Sequence, residues 1–360
     1  MKYNEVRRKT RTVKIGNLSI GGDSKILIQS MTNTDTHDIG ATVAQIKALA
    51  DIGCDIVRIT VPDLRAADTI TEIKKEIDIP IVADIHFDYK IAIRCAELGV
   101  DKIRINPGNI GDETKIKAVC DACKERNIPI RIGVNSGSLE KGILEKYGSP
   151  TPEALAESAL YNVALLEKFG FYDIVISIKA SDPSTMIAAN RIVAAKCDYP
   201  LHLGVTEAGS KEMGSIKSSI GIGSLLCDGI GDTIRVSLTD DPLEEIGAAK
   251  KILSAVGIEG QSGVQLISCP TCGRTKIDLI SLVNRFESEL KQRGLSDVPI
   301  KVAIMGCAVN GPGEAREADV GVAGGIGEAL LFKKGEILKK IPEADVVAVL
   351  LEEIEKFPKK

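Results

Sequence analysis

Between residue 26 and about residue 240 the hydrophobic pattern changes period again and again. A short β-branched run gives way to a longer stretch with apolar residues three and four apart. The runs are Ile26–Met31, Ile56–Val61, Ile81–Ile85, Lys102–Asn106, Ile130–Asn135, Ile174–Lys179, Leu201–Glu207 and Thr233–Leu238, eight in all. The stretches between them predict helices over Thr42–Asp51, Leu64–Glu76, Lys90–Leu98, Glu113–Arg126, Pro152–Phe169 and Pro183–Ala195, and Pro242–Val256 follows the last run. Strand–helix alternation means parallel crossovers, and eight such units closing on themselves make a (β/α)8 TIM barrel. An open doubly wound sheet is the alternative. It would want a Gly-rich dinucleotide loop after its first strand, and IQSMTNTDTHD is no such loop.

Ahead of the first run, TVKIGNLSIGG predicts a hairpin turning at Gly16–Asn17, placed to close the lower end of the barrel. Beyond the eighth helix the order of elements changes. A strand, Val264–Ile267, enters CPTCGR; a helix, Ile277–Arg293, follows; a strand, Lys301–Met305, enters GCAVNGPGE. Short strands over Asp319–Ala323 and Glu328–Phe332 and a helix over Glu343–Phe357 complete it. The expected organisation is a barrel over residues 1–256, a linker over 257–263 and a smaller α+β domain over 264–360.

Composition narrows the function classes. The chain has 46 Lys+Arg against 50 Asp+Glu, no Trp and 3% aromatic residues, which argues against a nucleic-acid surface and against base stacking. No run of about 18 apolar residues exists, so no membrane span is expected. The basic start, MKYNEVRRKTRTVKIG, has no apolar core of a secretory signal, so a cytoplasmic location is expected. Nine cysteines, an odd number scattered over a long chain, do not read as a disulfide framework.

Alternation along the strands brings out candidate chemistry. Arg58 points away from its apolar neighbours and hence into the barrel; Arg104 shares a face with Asn106, Arg131 with Asn135, and Arg235 with Ser237, while Lys179 ends the sixth strand. Five strands thus deliver a cation to an interior that branched aliphatics usually fill. Two like charges about 8 Å apart repel by roughly 2 kcal/mol at an effective dielectric near 20. Pairing of each cation with a rim carboxylate is one resolution. Arginine's bidentate grip on phosphate suggests the other, a multiply charged anion such as a diphosphate. Asp84 and His86 in VADIHF, and His202 and Glu207 in LHLGVTE, lie at strand ends of the same barrel. A lone histidine is usually a satisfied core residue, but two of three at the ends of cation-bearing strands point to function. Asp84 is placed to neutralise an arginine, and Glu207 is the best general-acid candidate.

The two CxxC pairs differ in setting. Cys120 and Cys123 extend an apolar stripe with Ile116 and Val119 and read as core, as does Cys95 with Ile91. Cys269 and Cys272 follow a strand in a Pro/Gly loop, and Cys307 follows another strand in MGCAVNGPGE. Three thiolates suit a [4Fe–4S] cluster whose fourth iron takes a different ligand, with Glu314 able to supply an oxygen; a zinc site on the same three thiolates is the other reading.

In RRKTRTVKIG, IQSMTNTDT, GCDIVRITVP, VADIHFDY, KIRINPGN, RIGVNSGSL, LGVTEAG, GIGDTIRVSLT, CPTCGR and MGCAVNGPGEAREADVG, the chain resembles the 4-hydroxy-3-methylbut-2-enyl diphosphate synthases, in their two-domain bacterial form. The resemblance implies reductive ring opening of 2-C-methyl-D-erythritol 2,4-cyclodiphosphate to a linear allylic diphosphate in the methylerythritol phosphate route to isoprenoids. It implies a [4Fe–4S] cluster on Cys269, Cys272 and Cys307 with Glu314 as displaceable fourth ligand, and ferredoxin or flavodoxin as electron donor. Arg58, Arg104, Asn106, Arg131, Asn135, Lys179, Arg235 and Ser237 match its diphosphate-holding positions, and Asp84, His86, His202 and Glu207 match polar positions of the same mouth.

Helix eight should end at the bottom of the barrel, and seven linker residues reach at most about 25 Å. The C-terminal domain is therefore expected to cap the barrel of a partner chain in a head-to-tail homodimer, as the resemblance also implies. Two rivals remain: a barrel lyase or aldolase forming a Schiff base on Lys179, which leaves three cysteines unexplained, and a non-enzymatic zinc module.

Overall fold

The computed structural model describes residues 3–258, 263–308 and 315–357. The chain divides into two compact units, Met1–Ile252 and Leu253–Lys360. The first opens with the expected hairpin. Strands β1 (Val13–Ile15) and β2 (Leu18–Ile20) pair antiparallel around Gly16–Asn17, with Gly16 at φ +54° as such a turn requires. Val13, Ile15 and Ile20 pack onto Leu27, Ile56, Val82 and Val175, residues near the starts of their strands. The hairpin therefore plugs the N-terminal end of the barrel.

The eight expected strands form one parallel sheet: β3 (Leu27–Met31), β4 (Ile56–Thr60), β5 (Ile81–Asp84), β6 (Lys102–Ile105), β7 (Ile130–Asn135), β8 (Ile174–Lys179), β9 (His202–Leu203) and β10 (Thr233–Ile234). The ladder runs β8-β7-β6-β5-β4-β3-β10-β9, and a bridge from Ile176 to Leu201 brings it back to β8, closing the barrel.

The last two strands are shorter than their apolar runs predict. At Gly204 a Cβ would stand 2.5 Å from the Arg235 carbonyl oxygen and 2.9 Å from Lys179 Nζ, and Glu207 sits at φ +52°. The chain bends out of the ladder there, so Arg235, Ser237 and Glu207 lie on segments that follow the strands.

Among the helices, the predicted Leu64–Glu76 is broken into Leu64–Asp68 and Ile70–Lys75 at Thr69, whose hydroxyl donates back to the Ala66 carbonyl at 2.8 Å. The seventh connection is a long helix, Lys211–Cys227, that the pattern does not single out. Its glycines mask it. Gly221 lies so close to the barrel that a Cβ would meet Val205 and Met186 at 2.8 and 2.9 Å. Among the described residues, no helix is long and apolar enough to cross a membrane.

The second unit is a five-stranded mixed sheet: β11 (Gln265–Ser268), β12 (Lys301–Met305), β13 (Val320–Gly324), β14 (Glu328–Lys333) and β15 (Glu336–Pro342), in that order. The first three are parallel and the last two antiparallel. The helices Leu279–Gln292 and Val346–Glu355 bury Leu282, Phe286, Leu350 and Ile354 in one core with Val302, Ile304, Val320 and Val322 of the sheet. Sequence patterning missed β15, a charged edge strand in which Ile341 is the buried position, reached through Lys334–Gly335, both at positive φ.

Candidate active site

Parallel strands with a period of two place every second side chain of β3, β4, β5, β6 and β7 on the interior, and the interior is charged. Asp84, from the end of β5, lies at its centre. Its Oδ1 accepts from Arg104 Nη1 at 3.0 Å, and its Oδ2 stands 3.7 Å from Arg58 Nε and 3.8 Å from His86 Nε2. Burial by itself would push the Asp84 carboxyl up. The fields of Arg58, Arg104, His86 and Arg131 outweigh it and hold the group below the ordinary carboxylate range. Arg58 also donates to Met31 Sδ from Nε at 3.0 Å and from Nη2 at 2.8 Å. With its amide oriented to satisfy its neighbours, Asn135 accepts from Arg104 Nη2 at 3.3 Å.

Arg235 faces a second carboxylate. Its Nε and Nη2 each lie 3.4 Å from Glu245, a buried residue of helix Pro242–Ala255 that Ser30 Oγ also contacts at 2.8 Å. Lys179 is buried beside Gly204, where a Cβ would crowd its Nζ. Burial first, then Arg235, Arg58, Arg131 and Arg104, drive the Lys179 amine well below its ordinary pKa. Arg131 is completely buried and donates from Nη1 to Gln29 Oε1 at 2.9 Å. Burial and the cations Arg58 and Arg104 weigh against its charge, as burial does for Arg58. Four strands and the segment after β10 thus bring five cations within one another's fields, with Asp84 and Glu245 as carboxylates that face them.

Other sequence-predicted positions fall differently. Asn106 is committed elsewhere: Oδ1 accepts from the Gly108 amide of its own loop at 3.2 Å, and Nδ2 donates to Ser138 Oγ of the loop after β7 at 3.1 Å. His86 is exposed at the rim. His202 is wholly buried with Nδ1 2.8 Å from Thr233 Oγ1, and burial together with Arg131, Lys179 and Lys102 pulls its pKa well down. Glu207 is exposed, on a loop at a left-handed φ of +52° that side chains other than glycine rarely adopt. Ser237 is half-buried, three residues beyond β10.

Sequence reasoning did not single out Lys102. It is two residues before Arg104, so the same alternation turns it inward; it is completely buried. Gln29 Nε2, Lys102 Nζ, Arg131 Nε and His202 Nε2 are buried with no hydrogen-bond partner among the described residues. Gln29 shares parity with Met31 and could have been found in the same way. Glu245 comes from a helix and carried no strand signal.

In the second unit, Cys269 follows β11 and Cys307 follows β12, two parallel neighbours in register Ser268 to Ile304, so their loops leave the same end of the sheet. The Gly306 amide donates to Cys269 Sγ at 3.2 Å, and the Lys276 amide to the Gly306 carbonyl at 2.9 Å, tying the loops together. The Cys272 amide donates to Thr275 Oγ1 at 3.2 Å. Hydrogen bonds from Arg274 hold the exposed Cys272 thiol below its ordinary pKa. Among the described residues no three His, Cys, Asp or Glu side chains gather at metal-binding distance. Glu314 lies outside the described residues. Three thiols on tied loops, one receiving a backbone N–H, are nonetheless a donor set that fits an iron–sulfur cluster.

Residues 10–250 match the family model described as the GcpE TIM-barrel domain, and residues 265–356 match the GcpE protein C-terminal domain. The chain is 61% identical over 358 residues to a protein of Caldanaerobacter subterraneus subsp. tengcongensis, with 99% of each chain covered. It is 60% identical over 349 residues to one of Clostridium perfringens, covering 97% of this chain and 99% of that one. Both are named 4-hydroxy-3-methylbut-2-en-1-yl diphosphate synthase (flavodoxin). Among solved structures, a type I 3-dehydroquinate dehydratase from Clostridium difficile is similar at a TM-score of 0.51 and 15% identity, covering 69% of this chain and 98% of that one. That likeness shows the fold alone.

Proposed function

The chain belongs to the GcpE family, and from that premise we propose that it opens 2-C-methyl-D-erythritol 2,4-cyclodiphosphate reductively, with loss of water, to 4-hydroxy-3-methylbut-2-enyl diphosphate for isoprenoid biosynthesis. The observation that carries the reading is the convergence of Arg58, Arg104, Arg131, Lys179 and Arg235 on an interior that Asp84 and Glu245 balance only in part. A diphosphate supplies the missing negative charge, and arginine forks fix its orientation. Asp84 keeps Arg58 and Arg104 aligned. Glu207, on the loop that follows β9, is assigned as the acid that protonates the departing hydroxyl.

Cys269, Cys272 and Cys307 are assigned as ligands of a [4Fe–4S] cluster, with Glu314 completing the set. When bound, that cluster supplies two electrons one at a time and a Lewis-acid site for the departing oxygen. The relatives' names point to flavodoxin as donor. A Schiff-base lyase built on Lys179 gains no support from relatives that bear the synthase name. We assign the enzyme to the cytoplasm and read it as a homodimer in which the second unit of one chain serves the barrel of its partner.

Anaerobic preparation, counts of iron and acid-labile sulfide, and turnover of the cyclic diphosphate with reduced flavodoxin test the assignment. About four irons and four sulfides per chain, lost together in Cys307→Ala, are expected. A colourless zinc protein without sulfide would overturn it. Mixing inactive Cys307→Ala chains with inactive Arg131→Ala chains should restore part of the activity if the site is shared between chains; no recovery refutes the shared site.

A further inference from the structure

Below the mouth lies a layer of buried polar side chains of which Arg131 alone has a part in the proposed reaction. Lys102 enters it from β6, Arg131 from β7, His202 from β9 and Gln29 from β3. All four are at most 1% exposed, and each carries a buried nitrogen without a hydrogen-bond partner among the described residues. Arg131 links this layer to the mouth, because its guanidinium feels Arg58, Arg104 and Asp84 above while its Nη1 is held by Gln29.

The charge around Lys102 is one-sided. Arg131 is the charged group that acts on it, His202 faces it from β9, and Arg104 follows on its own strand. Asp84 of β5 is taken by Arg104 and Arg58, and Glu245 by Arg235 and Ser30. A lysine buried without a carboxylate and next to an arginine is most stable as the neutral amine. That balance changes when negative charge enters. An anion on Arg131 cancels the field that opposes protonation, and in a low-dielectric interior the change is felt strongly.

We propose that Lys102 is a proton-binding site coupled to the anion site above it: its amine is uncharged in the free protein and takes one proton from solvent when a diphosphate-class anion settles on Arg131 and its neighbours. The lone pair of Nζ receives the proton, so the floor gains one positive charge as the mouth gains the anion's negative ones. Binding and proton uptake are then reciprocal, and raising the pH weakens anion binding through Lys102. The inference rests on the reading of the mouth as a diphosphate site.

Calorimetry of inorganic pyrophosphate binding to the anaerobically prepared holoenzyme, at pH 8 in buffers of different ionisation enthalpy, tests it. Wild type should take up more protons than Lys102→Met, by about one per chain at most, and its affinity should fall more steeply with pH, by up to about tenfold per unit. Uptake by Lys179 is common to both proteins and drops out of the difference. Equal uptake overturns the coupling while leaving the diphosphate site intact. Failure of pyrophosphate to bind either protein overturns the diphosphate reading and the coupling with it. Should Lys102→Met not fold, ε-13C-lysine spectra of wild type, with the Lys179 signal assigned by its absence from Lys179→Ala, decide the matter on the remaining buried lysine. One buried lysine signal should move from its neutral to its charged position on adding pyrophosphate; a signal that stays neutral, or is charged beforehand, refutes the proposal.

Discussion

Asp84 meets two guanidinium groups at once, Arg104 at 3.0 Å and Arg58 at 3.7 Å, in a buried site. Its folded pKa lies below the ordinary value of 3.8, so the stability it contributes is present above that value and is lost as pH falls through the lower, folded one. Asp84→Asn should cost about 3 kcal/mol at pH 7 in urea unfolding, because two buried cations lose their shared partner. The gap to wild type should shrink below pH 3.8. Lys102 shows the opposite sign. Burial and the neighbouring Arg131 hold its folded pKa well below 10.5, so between that lowered value and 10.5 the unfolded state binds a proton that the free folded state does not. Folding therefore carries a penalty that is full below the lowered pKa, shrinks as pH rises from there and is gone above 10.5. Lys102→Met should unfold at higher urea than wild type at pH 7, and the gap should narrow as pH rises toward 10.5. The inward turn of Arg58, Arg104 and Arg131 was legible because strand parity is a property of the local sequence. The capture of Asn106 by Ser138 and of Arg235 by Glu245 was not, since each depends on a segment that the fold alone brings near.

Within the barrel, two glycines make room for charge. A Cβ at Gly133 of β7 would collide with the Arg104 guanidinium, and one at Gly204 would press on Lys179 Nζ and the Arg235 carbonyl. Neither glycine needs a left-handed backbone, so their role here is space. Gly133→Ala should leave the circular-dichroism spectrum unchanged yet raise KM for the cyclic diphosphate by about tenfold, the effect of about 1.4 kcal/mol of lost alignment. An unchanged KM would show that Arg104 can give way without loss. Patterning found the eight strands and the hairpin because each is dense in β-branched residues with turn residues between. It overran β9 and β10, where the apolar run continues into mouth loops that bend at Gly204 and Glu207. It missed β15 because an edge strand with Ile341 as its buried position has no alternation to read, and Lys211–Cys227 because Gly214, Gly221 and Gly223 imitate a loop.

At the scale of the molecule, that missed helix carries the feature that bears on assembly. Met213, Ile216 and Ile220, spaced three and four apart, lie on one face of Lys211–Cys227 and are 50%, 47% and 51% exposed. Three half-exposed apolar side chains at helical spacing form a stripe that the homodimer proposed above would use as its contact. A shared active site needs such a contact, because a cluster unit can serve a partner's barrel only while the two chains stay together. The double variant Ile216→Glu/Ile220→Glu places two carboxylates in that stripe without touching any residue assigned to the mouth or to the cluster. In sedimentation velocity at micromolar concentration, wild type should run as a dimer and the variant as a monomer. The monomer should retain its iron and sulfide but lose at least about nine-tenths of its turnover, since desolvating two charges at an interface costs several kcal/mol. A variant that stays dimeric would place the interface elsewhere on the barrel, and a fully active monomer would refute the shared site outright.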